Sequence, residues 1–170
     1  MSQDIILIAD NIRSCHNVGS LMRTAEGLGC QRLYLAGYTP YPALRQGDTR
    51  PGFMAAKLSR QIHKTALGAE DSLDWRPAQD IKSLIQELRQ AGYKVAALEQ
   101  ADTAQPLNQF KVASHQVIIV GNEVSGLAQE VLRLVDQIIF IPMFGNKESF
   151  NVTVGAAMAL YHCRFKPSIG

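Results

Sequence analysis

The sequence predicts an α/β fold with a mostly parallel sheet and helices on both faces, and two kinds of observation carry that expectation. Short, continuously apolar runs alternate with longer segments of helical period, the pattern of strands covered on both sides. Three of these runs lie in the C-terminal half, and all end in glycine or polar residues. Tyr93 to Leu98 leads into Glu99-Gln100, Gln116 to Val120 into Gly121-Asn122-Glu123-Val124-Ser125-Gly126, and Gln137 to Ile141 into a polar stretch reaching Asn151. Open α/β sheets bind ligands in the crevice outside their strand ends, so the three exits are expected to meet at one site.

Ile5 to Ala9 is apolar throughout between Asp4 and Asp10 and reads as a fully buried strand. Val18, Leu21, Met22, Ala25 and Leu28 follow at helical spacing, with Asn17 placed as the N-cap and Gly29 as the stop. Arg32 to Ala36 makes a second strand. From Gly37 to Lys64 the pattern breaks, and Pro40, Pro42 and Pro51, with Gly47 and Gly52 among them, predict a loop-rich insertion holding one helix at Ala55 to His63. Ile81, Leu84, Ile85, Leu88 and Ala91 restore helical period after Pro77, a good N-terminal residue, and Gly92 ends that helix. Strands Tyr93 to Leu98 and Val117 to Val120, a helix from Leu127 to Leu134, strand Gln137 to Ile141 and a last helix from Ser149 to Phe165 complete the chain. Phe150, Val152 and Val154 alternate as a strand would, but the Gly155 to Leu160 continuation favours helix.

A chain of 170 residues fits one domain, spanning 1–170, with room for a substantial core. Its composition, 46% hydrophobic and 19% charged, is that of a soluble globular protein. A net charge of +2 permits a nucleic-acid partner without arguing for one, so the distribution of charge must decide. Cys15, Cys30 and Cys163 are odd in number and lack CxxC spacing, which suggests neither a disulfide framework nor a metal site. The chain opens without a basic leader region, and no apolar run is long enough to span a bilayer. A cytoplasmic protein is the expectation.

No G-x-G-x-x-G follows the first strand and no G-x-x-x-x-G-K-[ST] occurs, which disfavours the usual dinucleotide and P-loop sites. What remains is Asn17 with Arg23, the Gly121-Asn122-Glu123 turn, and Glu148-Ser149-Phe150-Asn151. Each has a plain structural reading: Asn17 and Ser149 as helix caps, Glu123 as an acid at a helix N-terminus.

Together they point further. The run from Asp10 to Glu26, Asp-Asn-Ile-Arg-Ser-Cys-His-Asn-Val-Gly-Ser-Leu-Met-Arg-Thr-Ala-Glu, resembles the first motif of the SpoU/TrmH ribose methyltransferases of the SPOUT superfamily. Val120 to Gly126 resembles their second motif, and Ile141 to Val154 with Gly155-Ala156-Ala157 their third, in the same order. The resemblance implies S-adenosylmethionine as methyl donor, an RNA ribose 2′-hydroxyl as acceptor (tRNA ahead of rRNA), a homodimer, and a C-terminal trefoil knot. Topology rules alone would argue against that knot.

Carried over residue by residue, the resemblance places the cofactor on Leu98, Gly121, Ile141, Met143 and Ser149, and the catalytic pair on Asn17 and Arg23. Glu123, Ser149 and Asn151 stand beside that pair. Gly121 lets backbone approach a ligand, and Leu98 and Ile141 are strand-end apolar groups suited to flank adenine. A guanidinium holds its proton, so Arg23 is expected to pair with a phosphate and orient the hydroxyl, although the family often assigns it the base role. Arg13, Arg45, Arg50, Lys57, Arg60 and Lys64 are the candidate RNA contacts, since between Arg45 and Lys64 only Asp48 is acidic. A solvated charged loop is the plain alternative for that patch. The rival function is a non-catalytic RNA-binding or cofactor-binding module with the same fold. A small-molecule methyltransferase is weaker, given the basic patch. The final helix, with its small face of Gly155, Ala156 and Ala159, and the segment around Asn17 are the expected dimer interface.

Overall fold

The computed structural model describes residues 3–165. In chain order the elements are β1 (Asp4–Asp10), α1 (Cys15–Gly27), β2 (Arg32–Ala36), α2 (Gly52–Ala66), α3 (Ala69–Ser72), β3 (Trp75–Ala78), α4 (Ile81–Gln90), β4 (Lys94–Leu98), β5 (Gln105–Pro106), β6 (His115–Val120), α5 (Gln129–Leu132), β7 (Gln137–Phe140) and α6 (Val152–Phe165). The strands form one sheet in the order β3-β2-β1-β6-β4-β7-β5, and every pairing is parallel. β1 is apolar from Ile5 to Ala9 because both faces are covered. Ile5, Leu7 and Ala9 pack with Leu21 and Met22 of α1, Ile62 of α2 and Leu160 of α6 on one side. Ile6 and Ile8 pack with Leu84, Ile85 and Leu88 of α4 and with Leu127 and Val131 on the other.

Several boundaries differ from the sequence expectation. Ser14, not Asn17, caps α1: it is extended at φ −88° and ψ 119°, and its Oγ accepts the Asn17 N–H at 3.3 Å. Asn17 therefore sits inside the first turn with its side chain free for another partner. α2 runs three residues further at each end than expected, because Phe53 and Met54 are exposed and left no periodic signal. Pro77 lies in β3 rather than at the start of α4, whose cap is Asp80, accepting from Lys82 N–H at 2.9 Å. β3 and the two-residue β5 are the sheet's edges, where a missing N–H does no harm, and each contains a proline. The helix expected over Leu127 to Leu134 is a single turn, because Ala128 is extended at ψ 144°. α6 starts at Val152, where the Asn151 side chain accepts the Thr153 N–H at 2.9 Å, so Asn151 and not Ser149 supplies the capping oxygen.

The helices on the α1 side are locked to one another. At Gly19 a Cβ would collide with Thr65 Oγ1 and the Ile62 carbonyl of α2, so only glycine lets the two backbones meet there. Arg164 near the end of α6 donates to Leu28 O at 2.9 Å and Gly29 O at 2.6 Å, satisfying carbonyls just past α1, and to Gln3 O at 3.1 Å ahead of β1. Cys30 and Cys163 belong to the same core, and burial pushes both thiols up to about 12. Gly155, Ala156 and Ala159, expected at a dimer interface, are buried in the chain's own core; a Cβ on Gly155 would lie 3.3 Å from Leu98. Any contact made by α6 with a second copy must use its opposite, exposed face.

Gly19→Ala should destabilise the protein by about 1–3 kcal/mol in urea unfolding, the cost of overpacking a filled contact. Gly27→Ala at the end of the same helix, where a Cβ would meet nothing within 4 Å, should leave the urea midpoint equal or slightly higher.

Candidate active site at the strand exits

β6, β4 and β7 are neighbours in the sheet, so their exits lie side by side and enclose a cavity of about 390 Å³. Leu98, Glu99 and Gln100 line it from β4, Gly121, Asn122 and Glu123 from β6, and Ile141, Ser149 and Asn151 from the segment after β7. Val152 and Gly155 of α6 close the apolar side. Two links hold the exits together. Glu99 accepts the Leu127 N–H at 2.8 Å, tying β4 to the end of the β6 loop, and Gln100 Nε2 donates to the Glu148 carbonyl, tying β4 to the segment after β7.

The β6 loop folds back on itself through an antiparallel bridge between Asn122 and Gly126. Asn122 Oδ1 accepts the Val124 and Ser125 N–H groups at 2.8 and 2.9 Å, while its Nδ2 donates to Asn11 O at 2.9 Å and Tyr38 Oη at 2.8 Å. One buried amide thus joins the exits of β1, β2 and β6. The doubled loop also revises the reason for Gly121. A Cβ there would lie 2.7 Å from Leu127 Cγ and 2.8 Å from the Gly126 carbonyl carbon, so glycine is required by the loop itself, before any ligand is considered.

Glu123, whose partner the sequence left open, reaches from this loop to the start of α1. Its carboxylate accepts Arg13 N–H at 3.1 Å, Ser14 N–H at 3.4 Å and Asn17 Nδ2 at 2.7 Å. In a capping box, an acid in the first turn takes the N-cap backbone N–H; here Glu123 performs that task from another element. Burial pushes its carboxyl up, but the Asn17 side chain and the backbone donors outweigh that and hold it below the ordinary glutamate value. An ionised carboxylate already holding three donors is an anchor, poorly suited to accept a proton in a reaction.

The remaining expected site residues divide. Asn151 and Ser149 line the cavity beside Leu98, Gly121 and Ile141. Met143 does not: it lines an adjoining hollow of about 660 Å³ with Phe140, Ile141 and Lys147. Arg23 lies about 9 Å further along α1 than Asn17 and about 120° round it, exposed and without a hydrogen bond or ion pair among the described residues. Arg45 is exposed in the loop before α2. Lys57, Arg60 and Lys64 are exposed in a stripe spanning about 60° of α2, opposite its buried Ala55, Ile62 and Ala66. Arg50 is the exception. It donates to both Asp48 oxygens at 2.9 and 2.6 Å and to the Tyr41 and Pro42 carbonyls at 2.9 Å, and lies 3.7 Å from the Tyr41 ring centroid. It braces the loop from Tyr38 to Arg50 rather than offering a free charge, and it holds the Asp48 carboxyl far below the usual range. Sequence reasoning placed Glu99 and Asn122 at the converging strand exits without assigning their roles, and missed Tyr38; their partners are distant in the chain.

These features define a class, an α/β protein whose candidate site is a cavity assembled from knitted loops at the ends of parallel strands. The SpoU rRNA Methylase family model matches residues 52–161, and the chain belongs to that family. It is 26% identical over 161 residues to the tRNA (guanosine(18)-2′-O)-methyltransferase of Escherichia coli (strain K12), covering 95% of this chain and 63% of the relative. It is also 26% identical over 164 residues to the 23S rRNA (guanosine-2′-O-)-methyltransferase RlmB of Acinetobacter baylyi, covering 95% and 60%. The chain thus spans about three-fifths of these relatives' length. Among solved structures, the AdoMet-bound rRNA methyltransferase from Sinorhizobium meliloti shares the fold at a TM-score of 0.77 and 22% identity, over 96% of this chain and 57% of that one.

Glu123→Gln should lower the urea midpoint at pH 7 by the equivalent of about 1 kcal/mol, the scale of losing a helix cap. Because the folded carboxyl is held below its unfolded value, its contribution is complete above about pH 4.5 and is lost as pH falls through the lower folded value. The gap between wild type and variant should therefore narrow on titration toward pH 3, and a gap that stays constant would contradict this assignment.

Proposed function

We propose that this chain is an S-adenosylmethionine-dependent methyltransferase acting on a ribose 2′-hydroxyl in RNA. The observation that carries the reading is the convergence of three strand exits, two of them bearing the second and third motif segments, on one cavity of about 390 Å³ with an apolar side and a polar rim, while Glu123 at that cavity bonds the first motif segment at Arg13, Ser14 and Asn17. Membership of the SpoU family and the 2′-O-methyltransferase names of both relatives support it. One of those relatives acts on tRNA and the other on rRNA, and tRNA stays our first choice.

The cavity residues fit the donor. Leu98, Ile141 and Val152 offer apolar surface for an adenine ring, and the backbone of the Gly121 loop and Ser149 offer polar groups. Met143, from the adjoining hollow, is the outlying member of this set. When bound, S-adenosylmethionine supplies an electrophilic methyl on a sulfonium. Asn151 uses its Oδ1 on Thr153, and its Nδ2, without a partner among the described residues, stands at the cavity rim, where with Ser149 it can position the ribose. Glu123 and Asn17 hold the start of α1, and through it Arg23, in place. A guanidinium in water-accessible surroundings stays charged, so Arg23 binds a phosphate and stabilises developing negative charge rather than removing the proton. Arg45 and the Lys57, Arg60 and Lys64 stripe contact the RNA backbone.

The reading includes one domain over 1–170, the C-terminal trefoil knot and a homodimer. Arg23 has no partner among the described residues of its own chain and stands away from the cavity, which suits an arginine completing the site of a second copy. Exposed Phe144, Tyr161 and Phe165 beside α6 border an apolar hollow of about 760 Å³ suited to that contact. Light scattering at low micromolar concentration should give twice the monomer mass of 18.7 kDa; a monomer there refutes the shared site.

The reaction is tested by incubating the protein with labelled S-adenosylmethionine and RNA from cells lacking the gene, then digesting to nucleosides. Labelled 2′-O-methyl nucleosides are expected, and label confined to bases or absent contradicts the reading. Arg23→Lys keeps the charge but loses the planar fork, so transfer should fall about 100-fold, the scale of one preorganised donor. Cofactor affinity by calorimetry should stay within about twofold, since Arg23 is not at the cavity. A near-normal rate in both Arg23→Lys and Arg23→Ala would make the residue structural.

A further inference from the structure

A second cavity, of about 500 Å³, opens on the other side of the Asn122 and Glu123 strip, where β1 and β2 end. Arg13, Cys15, Tyr38, Pro40, Tyr41 and Leu58 are among its walls. Its build is firm. The floor residue Thr39 is buried, donating to Ala9 O and accepting the Ile12 N–H, both at 3.0 Å. The Tyr41 wall is backed by the Arg50 guanidinium, itself fixed by Asp48 and two carbonyls. Tyr38 is 61% exposed, yet its hydroxyl is pinned by Asn122 Nδ2 at 2.8 Å and its N–H by Asn11 Oδ1 at 3.1 Å. An exposed aromatic ring fixed at both ends is a stacking platform that loses little freedom on binding. Arg13 is the contrasting wall: its N–H is held by Glu123 while its side chain is exposed and makes no hydrogen bond or ion pair among the described residues.

The two cavities are joined by these same residues. Asn122 and Glu123 line the first cavity, and they bond directly to Tyr38 and Arg13 of the second. We propose that the second cavity seats the unstacked base of the nucleotide whose ribose lies at the first, with Tyr38 stacking on the ring and Arg13 donating to its acceptor edge. The proposal rests on the ribose methyltransferase reading, since that reaction brings a nucleotide to the rim between the cavities. Single-stranded RNA is recognised by stacking splayed bases on aromatic side chains and reading their edges, which is what these walls offer. A guanidinium has donors only, so it favours a base with two acceptors on one edge, as guanine has in O6 and N7.

The test uses single-stranded RNA hexamers and reads binding separately from methyl transfer. A hexamer carrying one 2-aminopurine should change fluorescence saturably with the wild-type protein. Tyr38→Ala should weaken that binding about tenfold, within the range of losing one base–aromatic stack. Tyr38→Phe, which keeps the ring, should restore most of it; both variants release Asn122 Nδ2, so any change in S-adenosylmethionine affinity by calorimetry should be equal in the two, and the difference in base binding between them reports the ring. Hexamers with guanosine in place of 2-aminopurine should compete better than those with adenosine, and Arg13→Ala should remove that preference. The proposal is overturned if the wild type gives no saturable signal, if Tyr38→Ala binds as wild type does, if Tyr38→Phe is as weak as Tyr38→Ala, or if Arg13→Ala keeps the preference. Base binding that follows this pattern in a protein without methyl transfer would instead retain the pocket and refute the proposed reaction.

Discussion

The junction of Glu123 with the start of α1 is the contact on which the site depends. A parallel sheet delivers all its strand exits to one edge, but the exits are loops, and loops become a site only when their backbone groups are tied. Glu123 takes two backbone donors and one amide from the segment after β1, more than a hundred residues earlier in the chain. Asn122 beside it ties in β2 through Tyr38, and Glu99 and Gln100 extend the net to β4 and the segment after β7. Losing one member leaves neighbouring polar groups unsatisfied as well, so the net should respond as a unit.

Beneath this edge the helices are held by contacts that leave no slack. Gly19 sets the approach of α1 to α2, and Arg164 joins α6 to the end of α1. Both ends of α1 are therefore fixed from outside the helix, by Glu123 at its start and Arg164 at its finish. A rigid α1 matters because it carries Arg23 on a surface away from its own cavity. In the proposed dimer, a group serving another chain has to be presented by an element that does not move.

Charge is partitioned with the same economy. Arg50, although it lies in the most basic stretch, is consumed by its own loop, and in that position it steadies the Tyr41 ring. Of the candidate RNA contacts, those without a partner among the described residues are Arg13 at the second cavity, Arg45 on the loop and the stripe on α2. Reading them all as equal RNA contacts overlooked that a guanidinium surrounded by carbonyls and a carboxylate has no donors to offer a phosphate.

The sequence by itself determined the alternation of strands and helices, the apolar character of β1, β4 and β6, and the segments that converge on the cavity. These are local properties: burial on two faces imposes a continuous apolar run, and helical packing imposes a 3.6-residue period. It misplaced the cap of α1 and the role of Pro77 because a cap and an edge strand are defined by partners, which composition does not contain. The motif residues were legible individually, but their jobs were not. That Glu123 anchors α1, that Gly121 makes room for its own loop, that Arg50 is internal and that Tyr38 stands fixed beside Asn122 were decided only by tertiary structure. Each of those facts is a contact between residues the sheet brings together, and parallel strand order, unlike periodicity, joins segments that are far apart in the chain.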